Sequence, residues 1–219
     1  MPRTRDEALL VHAKIVRLWP LTGALVALLL VAALAGLVLL RGSPFEADSA
    51  WMSTVRHDPN SLLMWASFVM NYLGGGVIAW IIIPLGGAAG LLLARKPIAA
   101  VYWLVSLGLS AAVVQGVKQL VGRDRPLEML VVSDHGSFPS GHTANAATIA
   151  VVLGIALRRT WIWVIGVLGI VAMALSRTYV GAHWLTDTLA GTLIGIAAAI
   201  IVWALLGVPL LKERLRPRA

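Results

Sequence analysis

The chain has 219 residues, of which 59% are hydrophobic and 13% charged, and its mean hydropathy is +0.85. Soluble domains carry about 25% charged residues, so this composition excludes a chain covered by a polar surface and indicates one membrane domain. Cysteine is absent, which excludes disulfides and thiolate metal sites. The net charge is +8, but most basic residues flank apolar runs, which is typical of topology signals and lipid-headgroup contacts rather than of nucleic-acid binding.

The first apolar run extends from Leu18 to Leu40, after a basic tail at residues 1–17. It is longer than the apolar part of a cleaved signal peptide and therefore predicts a retained transmembrane helix. Residues 41–76 follow as a predicted extracytoplasmic loop. Within it, the short apolar stretch from Ser61 to Leu73 predicts an interfacial or partly inserted helix that ends at Gly74–Gly76.

Five further apolar runs predict spanning helices at about 77–94, 97–120, 142–157, 160–180 and 183–206. A second extracytoplasmic loop is predicted at 121–141, and a basic tail at 207–219. The predicted fold is thus all-α, a polytopic membrane protein with six transmembrane helices and a short extracytoplasmic interfacial helix. Residues 1–219 form a single membrane-embedded domain, and six crossings place both termini on one side.

The distribution of basic residues predicts which side that is. In this topology 12 of the 18 Lys and Arg residues lie on the face that holds the termini. By the positive-inside rule this face is the cytoplasmic face of the cell membrane, and the other faces the periplasm or exterior. Orientation signals do not explain the six basic residues on the outer face, four of which cluster near helix ends. The six are Arg41, Arg56, Lys118, Arg123, Arg125 and Arg177.

The first cluster lies between Lys118 and Pro126. Lys118 and Arg125 are seven residues apart, so their side chains share a helical face if the helix continues that far, with Pro126 ending it. Two cations at the outer end of a membrane helix would form a binding site for an anion. The alternative is that both side chains extend to lipid headgroups.

The second candidate segment extends from Ser137 to Thr143. Pro139 and Ser140 predict a helix start with Ser140 as the capping residue. The free amides of a first turn bind phosphate readily, and Gly141 would let an anion approach the backbone. His142 would lie at the mouth of this cradle, although a lone histidine there could also be an ordinary interfacial residue.

The third segment extends from Ser176 to Asp187. His183 and Asp187 have i, i+4 spacing and are predicted to share a helical face, where the carboxylate would fix the imidazole tautomer. Gly181 permits a turn that brings Arg177 back toward His183. The alternative is a structural ion pair that locks two helices. A single phosphate site explains why all three segments lie at the same membrane face. The three separate alternatives would each have to place their polar residues at that face by chance.

These segments resemble the signature of the type-2 phosphatidic acid phosphatase superfamily, integral membrane lipid phosphatases that share an active site with vanadium haloperoxidases. The signature is a lysine, six residues and Arg-Pro; then Pro-Ser-Gly-His; then Ser-Arg, five residues, His, three residues and Asp. All three parts occur in order, with no departure at any signature position. They are Lys118–Pro126, Pro139–His142 and Ser176–Asp187.

The resemblance implies metal-independent hydrolysis of a lipid phosphate or pyrophosphate at the outer membrane face. His183 would attack phosphorus to form a phosphohistidine, Asp187 would orient it, and His142 would protonate the leaving oxygen and then activate water. The phosphate-binding residues implied are Lys118, Arg125, Ser140, Gly141 and Arg177. No metal, cofactor, nucleic acid or obligate protein partner is implied; the expected partners are the lipid phosphate substrate and membrane lipids. Arg123 and Asp124 fall at variable signature positions and could support the site.

Several alternatives stay open at this point. The family suggests undecaprenyl pyrophosphate, phosphatidylglycerophosphate or phosphatidic acid as substrate, and no motif selects among them. A phosphotransferase would use the same histidine with another acceptor. A transporter or channel would spread polar residues through the span centres, whereas here they gather at one face. Haloperoxidases are soluble, unlike this chain.

Overall fold

A computed structural model describes residues 18–55 and 61–215, and the regular secondary structure of these residues is helical, with no strand. The predicted tail at residues 1–17 lies outside the described part. Eight helices follow one another: α1 Leu18–Arg41, α2 Glu46–Thr54, α3 Leu62–Gly74, α4 Ile78–Leu93 with a π-helical first turn, α5 Pro97–Val121, α6 Gly141–Leu157, α7 Thr160–Tyr179 and α8 Leu185–Leu215.

Helix α8 is the centre of the bundle and packs against α1, α5 and α6. Its contact with α6 is close because two glycines, Gly191 and Gly195, face that helix. A Cβ atom at Gly191 would meet the carbonyl oxygen of Ser140, and one at Gly195 would meet that of Ala144. Small residues at such positions let membrane helices approach closely. The close packing brings the start of α6 beside the start of α8.

The membrane-spanning character rests on length and composition. Helices α1, α5, α7 and α8 are each long and apolar enough to cross a bilayer, and α3 with α4 adds a fifth span if the pair, bent by 48°, is one crossing. Helix α6 is apolar but has only 17 residues. The described chain is therefore a multi-pass membrane protein with four to five candidate spans, and the predicted number of six is not confirmed.

Two helical segments differ from the prediction. Helix α2 lies in the stretch expected to be a polar loop. Its residues show no apolar periodicity, so the sequence offered no reason to predict a helix there. Helix α8 continues through Pro209 to Leu215, beyond the predicted end of the span at residue 206. The extension is held by Glu213, whose carboxylate accepts hydrogen bonds from the first-turn amides of Ile98 (2.5 Å) and Ala99 (3.2 Å) in α5.

Candidate active site

The end of helix α5 positions two cations, although not as predicted. The helix ends at Val121 because Gly122 adopts a left-handed conformation (φ 55°), so Arg125 lies in a loop and does not share a helical face with Lys118. The loop nevertheless folds back so that both cations bind the same acceptors. Lys118 Nζ donates to Gly136 O (2.8 Å) and Asp134 Oδ1 (3.3 Å), and Arg125 Nη2 donates to Gly136 O (2.8 Å) and Asp134 Oδ1 (2.8 Å).

The start of helix α6 has the predicted cap. Ser140 Oγ accepts a hydrogen bond from Thr143 N (3.5 Å), and the helix begins at Gly141. His142 in this first turn donates from Nε2 to the carbonyl oxygen of Asn71 (3.1 Å), since that oxygen can only accept. A Cβ at Gly74 would lie 2.5 Å from His142 Cδ2. The imidazole is therefore packed under the end of helix α3.

Arg177, at the end of helix α7, is fully buried. Its Nη1 donates to Asn71 Oδ1 (2.7 Å), whereas its Nε and Nη2 have no hydrogen-bond partner within residues 18–55 and 61–215. Gly181 adopts a positive φ of 66° and turns the chain from α7 toward His183, as predicted. Buried guanidinium N–H groups without acceptors are costly, so this side chain is suited to a polar, anionic ligand.

His183 lies before the start of helix α8, so the prediction that it shares a helical face with Asp187 is wrong. Asp187 is in the first turn of α8, where its Oδ2 accepts from the backbone N–H of Trp184 (2.8 Å) in the manner of a capping residue. His183 Nδ1 donates to the carbonyl oxygen of Ser137 (2.7 Å) and lies 3.6 Å from Asp187 Oδ2. Burial lowers the pKa of His183 to about 4.

This arrangement fixes the tautomer of His183. Because the Nδ1 proton points to the Ser137 carbonyl, the neutral ring carries its lone pair on Nε2. A pKa near 4 keeps the ring neutral at physiological pH. Burial also lowers the pKa of Arg125, but a guanidinium stays protonated at that pH. The site thus combines a neutral imidazole, able to act as a nucleophile, with several cations.

Sequence reasoning missed two contributors, Asn71 and Asp48. Asn71 contacts both His142 and Arg177, and the only signal for it was a carboxamide within a short apolar stretch. Asp48 forms an ion pair with Arg123 (2.7 Å), which in turn forms one with Asp187 (2.6 Å). Nothing in the sequence around Asp48 pointed to this. Asp124, considered as a supporting residue, contributes its backbone carbonyl, which accepts from Trp184 Nε1 (2.9 Å).

A cavity of about 760 Å³ adjoins these residues, between the α3–α4 bend, α5 and α6. His142, His183 and Lys118 line it together with apolar side chains and glycines. A second, apolar cavity of about 360 Å³ between α3, α6 and α7 also reaches His142. Within the described ranges, no three His, Asp or Glu side chains are grouped so that they could hold a metal ion.

Residues 99–208, about half of the chain, match the PAP2 superfamily. All three signature segments lie within this range. The chain belongs to the PAP2 superfamily.

Among its relatives, the undecaprenyl-diphosphatase of Sulfolobus acidocaldarius is 42% identical over 59 residues, which are 27% of this chain and 28% of that protein. Phosphatidylglycerophosphatase B of Bacillus subtilis is 28% identical over 151 residues, which are 63% of this chain and 74% of that protein.

The fold is also similar to a solved PAP2 structure. The crystal structure of a transmembrane PAP2-type phosphatidylglycerolphosphate phosphatase from Bacillus subtilis superposes with a TM-score of 0.66 at 25% identity, over 91% of this chain and 98% of that one. The PAP2 match and the phosphatase relatives make this chain a membrane hydrolase of the lipid phosphatase class.

Proposed function

We propose that this PAP2 protein hydrolyses a lipid phosphate through a phosphohistidine intermediate on His183, without a metal ion. The observation that carries the proposal is Arg177, a fully buried guanidinium with two nitrogens, Nε and Nη2, whose N–H groups have no acceptor in the described part of the chain. These groups match the oxygens of a phosphate, which guanidinium binds in a two-pronged manner. Neutral His183, with its Nε2 lone pair free, completes the requirement for a nucleophile.

In the proposed reaction, His183 Nε2 attacks phosphorus and the bond from phosphorus to the lipid oxygen breaks. His142, as the imidazolium with Nε2–H still bonded to the Asn71 carbonyl, gives its Nδ1 proton to that leaving oxygen. The neutral ring then accepts a proton at Nδ1 from the water that attacks the phosphohistidine. Inorganic phosphate leaves and His183 returns to its neutral form. Asp187, 3.6 Å from His183 Nδ1, stabilises the positive charge on the ring in the intermediate.

The proposed phosphate site draws on all five predicted binding residues. Arg177 supplies the N–H groups of Nε and Nη2, and Lys118 and Arg125 supply further positive charge. Ser140 Oγ accepts from Thr143 N and so keeps its own proton available for donation. The Gly141 amide lies at the start of α6, where a helix attracts anions. Such preorganised donors stabilise the charge that builds up on the phosphoryl oxygens.

The substrate is proposed to be a lipid with a single phosphate, such as phosphatidic acid. The large cavity next to His142 is lined mostly by apolar residues and glycines, which suits a lipid. Toward the middle of α5 its described lining offers neutral hydrogen-bonding groups and no Lys or Arg. These are Gln115, about 4.5 Å before Lys118 along the helix, Ser110, about 12 Å before it, and Asn145 on α6. A second phosphate, as in undecaprenyl pyrophosphate or phosphatidylglycerophosphate, would lie there without a counter-charge.

The proposed setting is the cell membrane, with both termini cytoplasmic, the single domain crossing six times and the active site outside. The positive-inside pattern of 12 of 18 basic residues supports this orientation. Helix α6, with 17 residues, is about 26 Å long, close to the hydrocarbon thickness of a bilayer. It would be the sixth crossing beside the candidate spans.

The test is phosphate release from phosphatidic acid, phosphatidylglycerophosphate and undecaprenyl pyrophosphate by the purified protein in detergent with EDTA. We expect His183→Ala to lose at least about a thousandfold in rate, and phosphatidic acid to have a kcat/KM at least about tenfold above the other two. His135→Ala, which alters an exposed histidine in the loop between α5 and α6, is the matched control and should keep full activity.

Each outcome has a defined meaning. Full activity of His183→Ala would refute the phosphohistidine mechanism. Loss of activity in EDTA that only a divalent ion restores would indicate a metal enzyme. Transfer of the phosphoryl group to an added alcohol in preference to water would indicate a phosphotransferase. Faster hydrolysis of the diphosphate lipid would refute the substrate preference alone.

A further inference from the structure

Behind the candidate nucleophile lies a buried cluster of three charged side chains. Arg123 Nη2 contacts Asp48 Oδ2 (2.7 Å), and Arg123 Nη1 contacts Asp187 Oδ1 (2.6 Å). Both carboxylates are fully buried and the arginine nearly so. The guanidinium lies between two aromatic rings, 5.6 Å from the centroid of Phe45 and 5.5 Å from that of Trp184. Arg123 is thus contacted by two carboxylates and two aromatic rings.

Asp48 is also fixed to the first turn of helix α8. Its Oδ1 accepts from Thr186 N (2.9 Å) and its Oδ2 from Thr186 Oγ1 (2.8 Å). Arg123 Nη1 donates to the same hydroxyl oxygen (2.8 Å). These bonds join helix α2, most of whose side chains are exposed or half-buried, to the turn that carries Asp187. The contacts of Asp48 therefore converge on the residue that faces His183.

We propose that Asp48 is a positioning residue for the phosphoryl-transfer reaction: it holds Arg123 against Asp187 and keeps the cluster behind His183 negatively charged. Arg123 and Asp187 alone would have a net charge of zero. With Asp48 included, the three side chains carry a net charge of −1. The cluster then stabilises a positive charge on the imidazole of His183, although Asp187 is paired with Arg123. The inference rests on the proposed function, because it acts through His183.

The balance of charge around His183 explains why a second carboxylate is needed. On the substrate side it faces cations from three elements, namely Lys118, Arg125 and Arg177, together with His142. Phosphorylation of His183 gives the ring a positive charge in this setting. A negative cluster on the opposite side offsets that repulsion as the charge develops. Because the effect arises in the transition state, removal of Asp48 should lower kcat and leave KM nearly unchanged.

The experiment is a double-mutant cycle on the full-length protein in detergent, with phosphatidic acid as substrate. We expect Asp48→Asn to lower kcat about tenfold with KM within about twofold of the wild type. In an Asp187→Asn background the same change should have little further effect, because Asp48 acts through Asp187. Glu46→Gln removes a negative charge from an exposed position on the same helix and should leave both constants unchanged.

The opposite results would overturn the proposal. These are an unchanged kcat in Asp48→Asn, or an equal loss in both backgrounds, as expected of a residue that only stabilises the fold. Thr186→Val is a second variant that keeps every charge but removes the hydroxyl shared by Asp48 and Arg123. If Asp48→Asn does not fold, a partial kcat loss in Thr186→Val that disappears in the Asp187→Asn background supports the proposal, and full kcat refutes it.

Failure of the proposed function has a different signature. In that case the wild type releases no phosphate from any of the three lipids, or His183→Ala remains active. An active, His183-dependent enzyme that is indifferent to Asp48 would refute only the role of Asp48.

Discussion

At the scale of single residues, His183 depends on a backbone atom that no motif encodes. The types and spacing of the signature residues predicted that they lie near one another, because they match a family signature, and their role at a phosphate stays a prediction. The sequence predicted Asp187 as the partner that orients the ring, whereas the shortest contact of Nδ1 is to the Ser137 carbonyl (2.7 Å) and the carboxylate is 3.6 Å away. Backbone carbonyls carry no residue identity, so a contact of this kind is invisible before the fold is known.

The protonation of His183 leads to a prediction about pH. Burial lowers its pKa from 6.5 to about 4, so the reactive neutral form should persist as pH falls from 7 to 5 and be lost only near pH 4. The measurement is an NMR titration of protein labelled with ¹³C in its histidine rings, with His183→Gln to assign the resonance. A titration midpoint near the ordinary value would contradict the prediction and imply that the ring is exposed to water.

Asp134 leads to a second prediction at this scale. Its carboxylate, 56% exposed, contacts both Lys118 (3.3 Å) and Arg125 (2.8 Å), two cations proposed to bind substrate phosphate. A phosphate must therefore displace this carboxylate, so Asp134→Asn should lower the inhibition constant of inorganic phosphate about three- to tenfold. The control is Glu128→Gln, an exposed carboxylate in the same loop. Weaker inhibition in Asp134→Asn would show instead that the carboxylate holds the cations in position.

At the scale of helices, the apolar runs predicted the long elements to within a few residues, except for the end of α8, but not the short polar ones. Helix α2 has no apolar pattern, and its position depends on the tertiary bonds from Asp48 to Thr186. The i, i+4 spacing of His183 and Asp187 indicated a shared helix, yet the helix begins only at Leu185. Likewise Gly122, rather than Pro126, ends α5. Helix ends depend on single backbone conformations, which composition predicts poorly.

The contact between α6 and α8 allows a prediction about packing. A Cβ at Gly195 would meet the Ala144 carbonyl oxygen and lie 2.9 Å from Ala147 Cβ, so Gly195→Ala should reduce stability by about 1–3 kcal/mol through overpacking. Gly90→Ala is the matched control, since a Cβ there meets nothing within 4 Å. Thermal unfolding in detergent, followed by the loss of the monodisperse peak in size-exclusion chromatography, measures both. Equal midpoints for the two variants would contradict close packing at this contact.

At the scale of the whole molecule, the predicted segments converge because three helix ends meet: the end of α5, the start of α6 and the end of α7. Each carries one part of the signature, and the loops between them fold the cations toward His183. The sequence could predict this convergence from topology, since all three ends were assigned to one face. It could not predict that helix α3 covers the site through Asn71, because that contact joins residues far apart in the chain.

The sidedness of the molecule is open to direct measurement, because the chain has no cysteine of its own. Val132→Cys introduces a thiol at a 98% exposed position in the loop beside the active site, and Arg159→Cys introduces one between α6 and α7. In intact cells a membrane-impermeant maleimide should label only the first, and both should react after permeabilisation. Labelling of only the second would place the active site in the cytoplasm. Labelling of both in intact cells would mean that α6, with its 17 residues, does not cross the membrane, and the six-span topology would then be wrong.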